Sequence, residues 1–511
     1  MQKGSIKPTV SCWLLAAGLK LKNNKQWAKP YLEVCMKKKN NYINKIQEFS
    51  QNNSGISVRK LSAGGKELLI LYIPQLTDKD SLSSNIIKPI LQYNKKETIN
   101  IDILSSSIIY VDDVLIDQDE NEMLDYILKG NTVIVIPNEQ NYIIANTLKV
   151  EKRNIDMPQI QNGLRLPMDS FNENFDDNLS LIRYRIKDPA LRIENFSIGK
   201  RTKTKVALIY INDISNPEYV NEVKKRLQDI NIDGVVESGF VQKFLLNNPF
   251  NLFPEIGISE RSDKAAADIL NGKLCILVEG SNFVLSVPET IKDFLDSGEE
   301  HYDNIYTAIF SKILRIIALT STLTLTSVYI MLVSFLPEIL PPNYILALAN
   351  SRLSVPVNAF VEAFGMEMIS ELLREASIRL PKQIGPAIGV VGTIVIGQAA
   401  VTAGVVSPLM VIIVALSLLT SFSFADFTLI NAIRVLKFLV LILTGIFGIF
   451  GFTMALTLIV TIVLSTSSMG VPYGAPIAPF NFRDFANFFL SDITIAKKRP
   501  NYLRTKDKTK Q

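Results

Sequence analysis

The chain has 511 residues, is 48 % hydrophobic and carries a net charge of +5, with a mean hydropathy of +0.21. That is too long for one ordinary domain and too apolar for a purely water-soluble one. Residues 1–312 carry 39 Lys+Arg against 40 Asp+Glu and residues 313–511 carry 15 against 9, so the positive excess lies in the apolar part, which argues for a membrane and against nucleic acid as partner.

Three scattered cysteines, Cys12, Cys35 and Cys275, make no disulfide framework and suit a reducing compartment. His301, the only histidine, rules out a multi-histidine metal site and most acid/base enzymology; it reads as a solvated juxtamembrane residue. Nothing implies an enzyme, a cofactor or a bound metal. Residues 1–59 read as a partly disordered extension. Its VSCWLLAAGL run is at the minimum length for a signal-peptide core, and a dense Lys/Asn stretch follows it.

Two α/β subdomains follow, at 60–150 and 201–298. ELLILYIPQL (67–76) parallels KVALIYINDI (205–214), and 127–146 matches 269–287. In each, Ile-Leu-x-Gly ends a helix at Gly130 or Gly272, a buried strand follows, and Asn138 or Gly280 turns the chain into a second strand. This predicts related folds with sheets containing 68–73 and 132–136 in one and 206–211 and 274–278 in the other. Residues 151–200, broken by Pro158, Pro167 and Pro189, read as a connector, and no phosphate loop or carboxylate pair marks either subdomain as catalytic.

From 299 to 480 the pattern is that of a multi-pass α-helical membrane domain, with about four spans near 313–335, 384–404, 408–425 and 436–465. The last is long enough to be a hairpin, and Gly445, Gly448 and Gly451 are its natural bend. Between the first two spans, residues 336–383 read as an amphipathic segment on the outer face, with Glu367, Glu371 and Glu375 in one helical row; Arg374 and Arg379 lie close by. That row is either a solvated face or, with several subunits around an axis, an acidic pore vestibule. Gln398 and Thr402, beside small residues in the second predicted span, are candidates for helix packing. Residues 481–511, whose last stretch KKRPNYLRTKDKTK holds seven basic residues and one acidic, read as a cytoplasmic tail, and an even number of spans then places both termini in the cytoplasm.

Several motifs carry a family resemblance. VSFLPEILP (333–341), SRLSVP (351–356), FVEA (360–363), LREA (373–376), IRLP (378–381), VIGQAA (395–400), VSP (406–408) and GVPY (470–473) resemble the membrane domain of the GerA family, the A subunits of bacterial spore germinant receptors. NLSLIR (178–183), Asp188-Pro189, KTKV (203–206), Asp233-Gly234 and NPF (248–250) resemble the soluble part of the same family. The chain departs from the pattern at Leu336, Leu166 and Met168. The resemblance implies a multi-pass protein of the spore inner membrane that responds to nutrients and triggers germination. It also implies a B-type integral-membrane partner, a C-type lipoprotein partner, and homo-oligomerisation into a cation channel. A same-family protein aiding dipicolinate and ion release without sensing nutrients, and a secondary transporter, are the alternatives.

Overall fold

The computed structural model describes residues 55–93, 99–137, 139–149, 167, 169–378, 385–424, 426–490 and 497–510; of these, the side chains of 120–121, 378, 385–388 and 390 are left aside. The expectations for residues 1–54, Cys12, Cys35, Asn138, Leu166, Met168 and Arg379 fall outside the described residues. The chain divides into two compact units, 1–148 and 149–511.

The first unit is built on strands β1 (Ser57–Ala63), β2 (Lys66–Tyr72), β3 (Val114–Asp117), β4 (Thr132–Val135) and β5 (Tyr142–Ala145). They pair antiparallel in the order β1-β2-β4-β5-β3, with Leu69 opposite Val135 and Val133 opposite Ile144. Helical stretches α1 (79–92) and α2 (101–108) follow β2, and α3 (Glu120–Leu128) precedes β4. β4 and β5 are buried along their whole length, because α1 and α2 pack on one face of the sheet and α3 packs on the other.

The second unit begins with a sheet of the same design. Its strands β6 (Leu191–Ile198), β7 (Thr204–Ile211), β8 (Gly257–Ser259), β9 (Leu274–Val278) and β10 (Val284–Val287) run β6-β7-β9-β10-β8, again antiparallel. Helix α4 (Phe175–Arg185) precedes β6, α5 (Pro217–Asp229) and α6 (Ser238–Leu245) follow β7, and α7 (Ser262–Leu270) precedes β9. From the first strand on, both sheets have the element order ββααβαββ. Gly130 (φ +91) ends α3 and Gly272 (φ +96) follows α7, a left-handed conformation that a β-carbon would strain. Cys275 is buried in β9.

The expected connector needs correction. From Ser170 onward it belongs to the second sheet domain: Leu179 and Ile182 of α4 enter its core, and β6 is its edge strand. β6 has no strand signature in the sequence because an edge strand alternates buried and wet residues, so LRIENFSI lacks a continuous apolar run.

After the short helix α8 (Ile291–Leu295) comes a helical bundle of α9 (Ile305–Ile330, continuing to Phe335), α10 (Pro342–Arg352), α11 (Ala359–Ile378), α12 (Gly385–Thr402), α13 (Pro408–Ser421) and α14 (Phe427–Ser465). Its contacts fix the helix directions. Lys312 of α9 is ion-paired with Asp296 and Glu300 at the end nearest the second sheet. Phe335, at the far end, packs on Gly448. α11 returns, with Phe360 on Gly445 at the far end and Arg374 bonded to Ser421 toward the near end. α12 runs back up α11, matching Gly389 with Ser377, Gly392 with Leu373 and Gly397 with Met366. α13 descends from Ser407, bonded to Glu362, to Thr420, bonded to Thr322.

α14 is two helices. Gly448 adopts φ 59, ψ −134, and a β-carbon on Gly451 would overlap the carbonyl of Leu443. Residues eight apart in a straight helix are about 12 Å apart. The chain therefore doubles back at Gly448, and its second half returns to Thr466, whose hydroxyl is 3.0 Å from Asn251 Nδ2. Among the described residues, six helical segments, α9, α11, α12, α13 and the two halves of α14, thus run alternately away from and toward the second sheet. Residues 336–383, expected to lie flat on an outer face, instead send α11 down through the bundle.

The tail is also structured. After α15 (Phe482–Leu490), residues 497–510 clip onto the second sheet domain: Arg499 donates to Leu270 O at the end of α7, Lys506 N donates to Ile214 O, and Thr505 abuts Gly272. Within this basic tail Arg499 is buried, satisfying a helix C-terminal carbonyl and pairing with Asp507.

Candidate functional site: charges inside the bundle and at its joint

Helix α11 presents carboxylates to its neighbours, and each of three meets a cation from another helix. Glu367 is 1 % exposed; its Oε2 lies 2.7 Å from Lys437 Nζ on α14, and Thr326 of α9 donates to its Oε1 at 2.6 Å. One turn on, Glu371 pairs with Arg434 of α14. Toward the far end, Glu362 pairs with Arg352 of α10 at 3.0 Å and accepts from Ser407 N at 2.7 Å. Arg374 bonds Ser421 and lies over the Phe422 ring.

The predicted row Glu367, Glu371, Glu375 is therefore divided. The first two are neutralised inside the chain, and Glu375 is the exposed member. Neither a wholly solvated face nor an open acidic rim describes them, because Lys437 and Arg434, more than sixty residues away, fold against them. The signal was available: two basic residues inside an apolar run must find acids, since a lone charge in an apolar interior costs several kcal/mol. Gln398 and Thr402 are exposed on α12, and Thr402 Oγ1 bonds back to Gln398 O. The face of α12 that packs within the chain is instead the glycine face, Gly389, Gly392 and Gly397, where small residues let α11 approach.

A second set of buried charges joins bundle to sheet. Lys273, just after Gly272, has Asp268 at 3.2 Å, Glu289 at 2.8 Å and Asp293 at 3.2 Å. Burial opposes its charge, but the three carboxylates outweigh this and hold it protonated well above the ordinary lysine range. Burial, reinforced by Asp293 and Asp268 against the pull of Lys273, pushes Glu289 up to about 8. Ser468, in the hairpin leaving α14, accepts from Glu289 N and donates to Glu255 O. Lys312, fully buried, bonds the Phe488 carbonyl and pairs with Asp296 and Glu300, while Arg315 takes the other Glu300 oxygen at 2.6 Å. His301 contacts Asp296 at 3.3 Å and is more than a third exposed. Burial works against the Asp296 charge, yet His301 and Lys312 hold its carboxyl well below the usual range.

Among the described residues no group of three or more His, Cys, Asp or Glu could hold a metal ion. Lys437, Lys273 and Lys312, the buried lysines of these two sets, are each engaged by carboxylates, and Lys312 also by a carbonyl, an arrangement suited to holding helices in register. The family model described as Bacillus/Clostridium GerA spore germination protein matches residues 44–502. The chain belongs to the GerA family. Relatives of this GerA-family chain include spore germination protein GerLA of Bacillus cereus, 34 % identical over 91 % of this chain and 96 % of that one. Spore germination protein KA of Bacillus subtilis (strain 168) is 33 % identical over 90 % and 86 %, and the uncharacterized membrane protein YfkQ of the same organism 31 % over 82 % of each. The N-terminal domain of the A subunit of the Bacillus megaterium spore germinant receptor GerK3 is 27 % identical over 48 % of this chain and 92 % of that domain, with a TM-score of 0.38. Two helices, Ile305–Phe335 and Phe427–Ser465, are long and apolar enough to cross a membrane.

Proposed function

We propose that this GerA-family chain is the A subunit of a nutrient germinant receptor in the spore inner membrane, working with a B-type membrane subunit and a C-type lipoprotein. The bundle crosses the bilayer six times, α14 as a helical hairpin, with the sheet domains and the tail on the cytoplasmic side. The observation that carries this topology is the tail: Arg499 and Lys506 bond the second sheet domain, which puts both on one side. An even number of passages follows, in accord with the positive-inside rule.

In a ring of A subunits the bundle gates cation release, and the ion pairs of α11 with α14 hold the closed arrangement. Charges kept in an apolar interior support such a role, because they are costly unless a function retains them. The test is to express the chain with its B- and C-type partners in spores stripped of other receptors of this kind. Monovalent-cation release is then followed after adding amino acids, sugars and nucleosides in turn. A response to one of these that is absent without the chain is the expected result; no response to any of them, with all three subunits present by immunoblot, refutes the receptor reading.

A further inference from the structure

The Asn248-Pro249-Phe250 motif has no part in the ion-pair networks, yet it is a built feature. Asn248 accepts from Phe250 N at 3.0 Å and, through its carbonyl, from Asn251 N at 3.1 Å, making a turn with Pro249 at the position proline favours. Buried Glu255 clasps both shoulders of the loop, accepting from Asn247 N and from Asn251 Nδ2, each at 2.8 Å. Two residues beyond Asn251, Phe253 is 3 % exposed with its ring 5.9 Å from that of Tyr473. Phe250, in the same rigid loop, is 93 % exposed.

Its position is set by the bundle. Asn247 donates to Ser467 O and Asn251 to Thr466 Oγ1, so the loop sits beside the end of the last apolar helix. From the Gly448 turn to Ser465 is 17 residues of helix, about 25 Å against a hydrocarbon thickness of about 30 Å. Thr466 therefore lies near the hydrocarbon boundary, and Phe250, one residue from Asn251, stays within about 10 Å of it. Other exposed aromatics stand at the same end of the bundle on separate elements: Tyr306 and Phe310 on α9, Phe422 after α13, and Phe480 and Phe482 before and on α15. Exposed aromatics drawn from several elements at one end of a spanning bundle are what a bilayer interface selects.

We infer that the Asn248–Phe250 turn is a membrane-interface anchor, seating the Phe250 ring at the headgroup–acyl boundary and holding the second sheet domain against the bilayer surface. This rests on the reading that the bundle spans the membrane. The test uses the full chain with Trp13 and Trp27 replaced by Phe, reconstituted in phosphatidylcholine/phosphatidylglycerol vesicles, and carrying Phe250→Trp or, as a control inside α14, Leu458→Trp. Lipids brominated near the headgroup are expected to at least halve the emission of the F250W protein, and deeply brominated lipids that of the L458W protein. Quenching of L458W alone, with F250W quenched only by aqueous acrylamide, overturns the anchor and leaves the spanning bundle intact. Quenching of neither by lipid overturns both. Unquenched F250W together with a disulfide between copies of a Phe250→Cys chain assigns the turn to a second copy and also overturns the anchor.

Discussion

Lys437 is the residue whose loss should reveal what the bundle charges do. In Lys437→Met the Glu367 carboxylate loses its ion-pair partner and keeps the hydroxyls of Thr326 at 2.6 Å and Ser370 at 3.4 Å, with the Arg374 guanidinium farther off, in a site 1 % exposed. At 2.7 Å and an effective dielectric of about 20 the lost attraction is about 6 kcal/mol gross. Desolvation of the lysine offsets part of this, and removal of one partner from a buried pair typically costs about 3–5 kcal/mol net. That is a large share of a total stability of about 5–15 kcal/mol. Glu367→Gln removes the opposite charge and keeps the side-chain length, so the double variant E367Q/K437M removes both charges of the pair. The cycle of wild type, both single variants and the double is measured by unfolding of the purified full chain in detergent. The expected coupling is at least about 2 kcal/mol, the double variant being more stable than K437M. Single effects that add within about 0.5 kcal/mol refute the claim that this pair locks α11 to α14.

Two further outcomes follow from the joint and the hairpin. Because the Glu289 carboxyl is pushed up to about 8 from an ordinary 4.5, the folded state holds its proton more tightly than the unfolded chain does. Its contribution to stability is full below about pH 4.5, falls by at most about 1.4 kcal/mol per pH unit as pH rises from there to about 8, and is then constant; thermal midpoints across this range should fall less steeply in Glu289→Gln, and identical slopes refute the assignment. In a cysteine-free background and intact cells, an impermeant maleimide should label Phe447→Cys, beside the Gly448 turn, and spare Thr509→Cys in the docked tail; labelling of Thr509→Cys, or protection of Phe447→Cys, refutes the six-pass topology.

The sheet repeat could be read from the sequence because its signals are local. A helix-ending glycine before a fully buried strand recurs at Gly130 and Gly272, and four residues of buried strand need no distant partner to be recognised. The correspondence reaches further than sequence reading could follow. Leu76 and Leu148 surround Gly130 as Ile214 and Thr505 surround Gly272, so the C-terminal tail fills in the second sheet domain a place that the first fills from its own chain. No local pattern announces that substitution. The glycines 445, 448 and 451 located the bend in α14 but not its size, which depends on a φ of +59 at Gly448 and on Phe335 packing there. The charges of α11 pointed to a surface helix for the same reason: amphipathicity says that a face is polar, and only the tertiary fold says that Arg434 and Lys437 cover it.

The joint constrains how the second sheet and the bundle can move. Lys273 sits at the foot of β9 and its three carboxylates come from α7, from the end of β10 and from α8, while the backbone beside one of them, Glu289 N, bonds Ser468 in the strand that leaves α14. Lys312 repeats the arrangement one step along, tying Asp296 and Glu300 to the start of α9 and the Phe488 carbonyl of α15. A shift of β9 or β10 that left the bundle in place would strand at least one buried charge, which costs more than surface contacts can return. Small displacements of the second sheet therefore pass to α9 and α14 as a unit. Those are the two helices that contact Glu367, through Thr326 and Lys437, so the buried pair and the joint act on the same pair of helices from opposite directions.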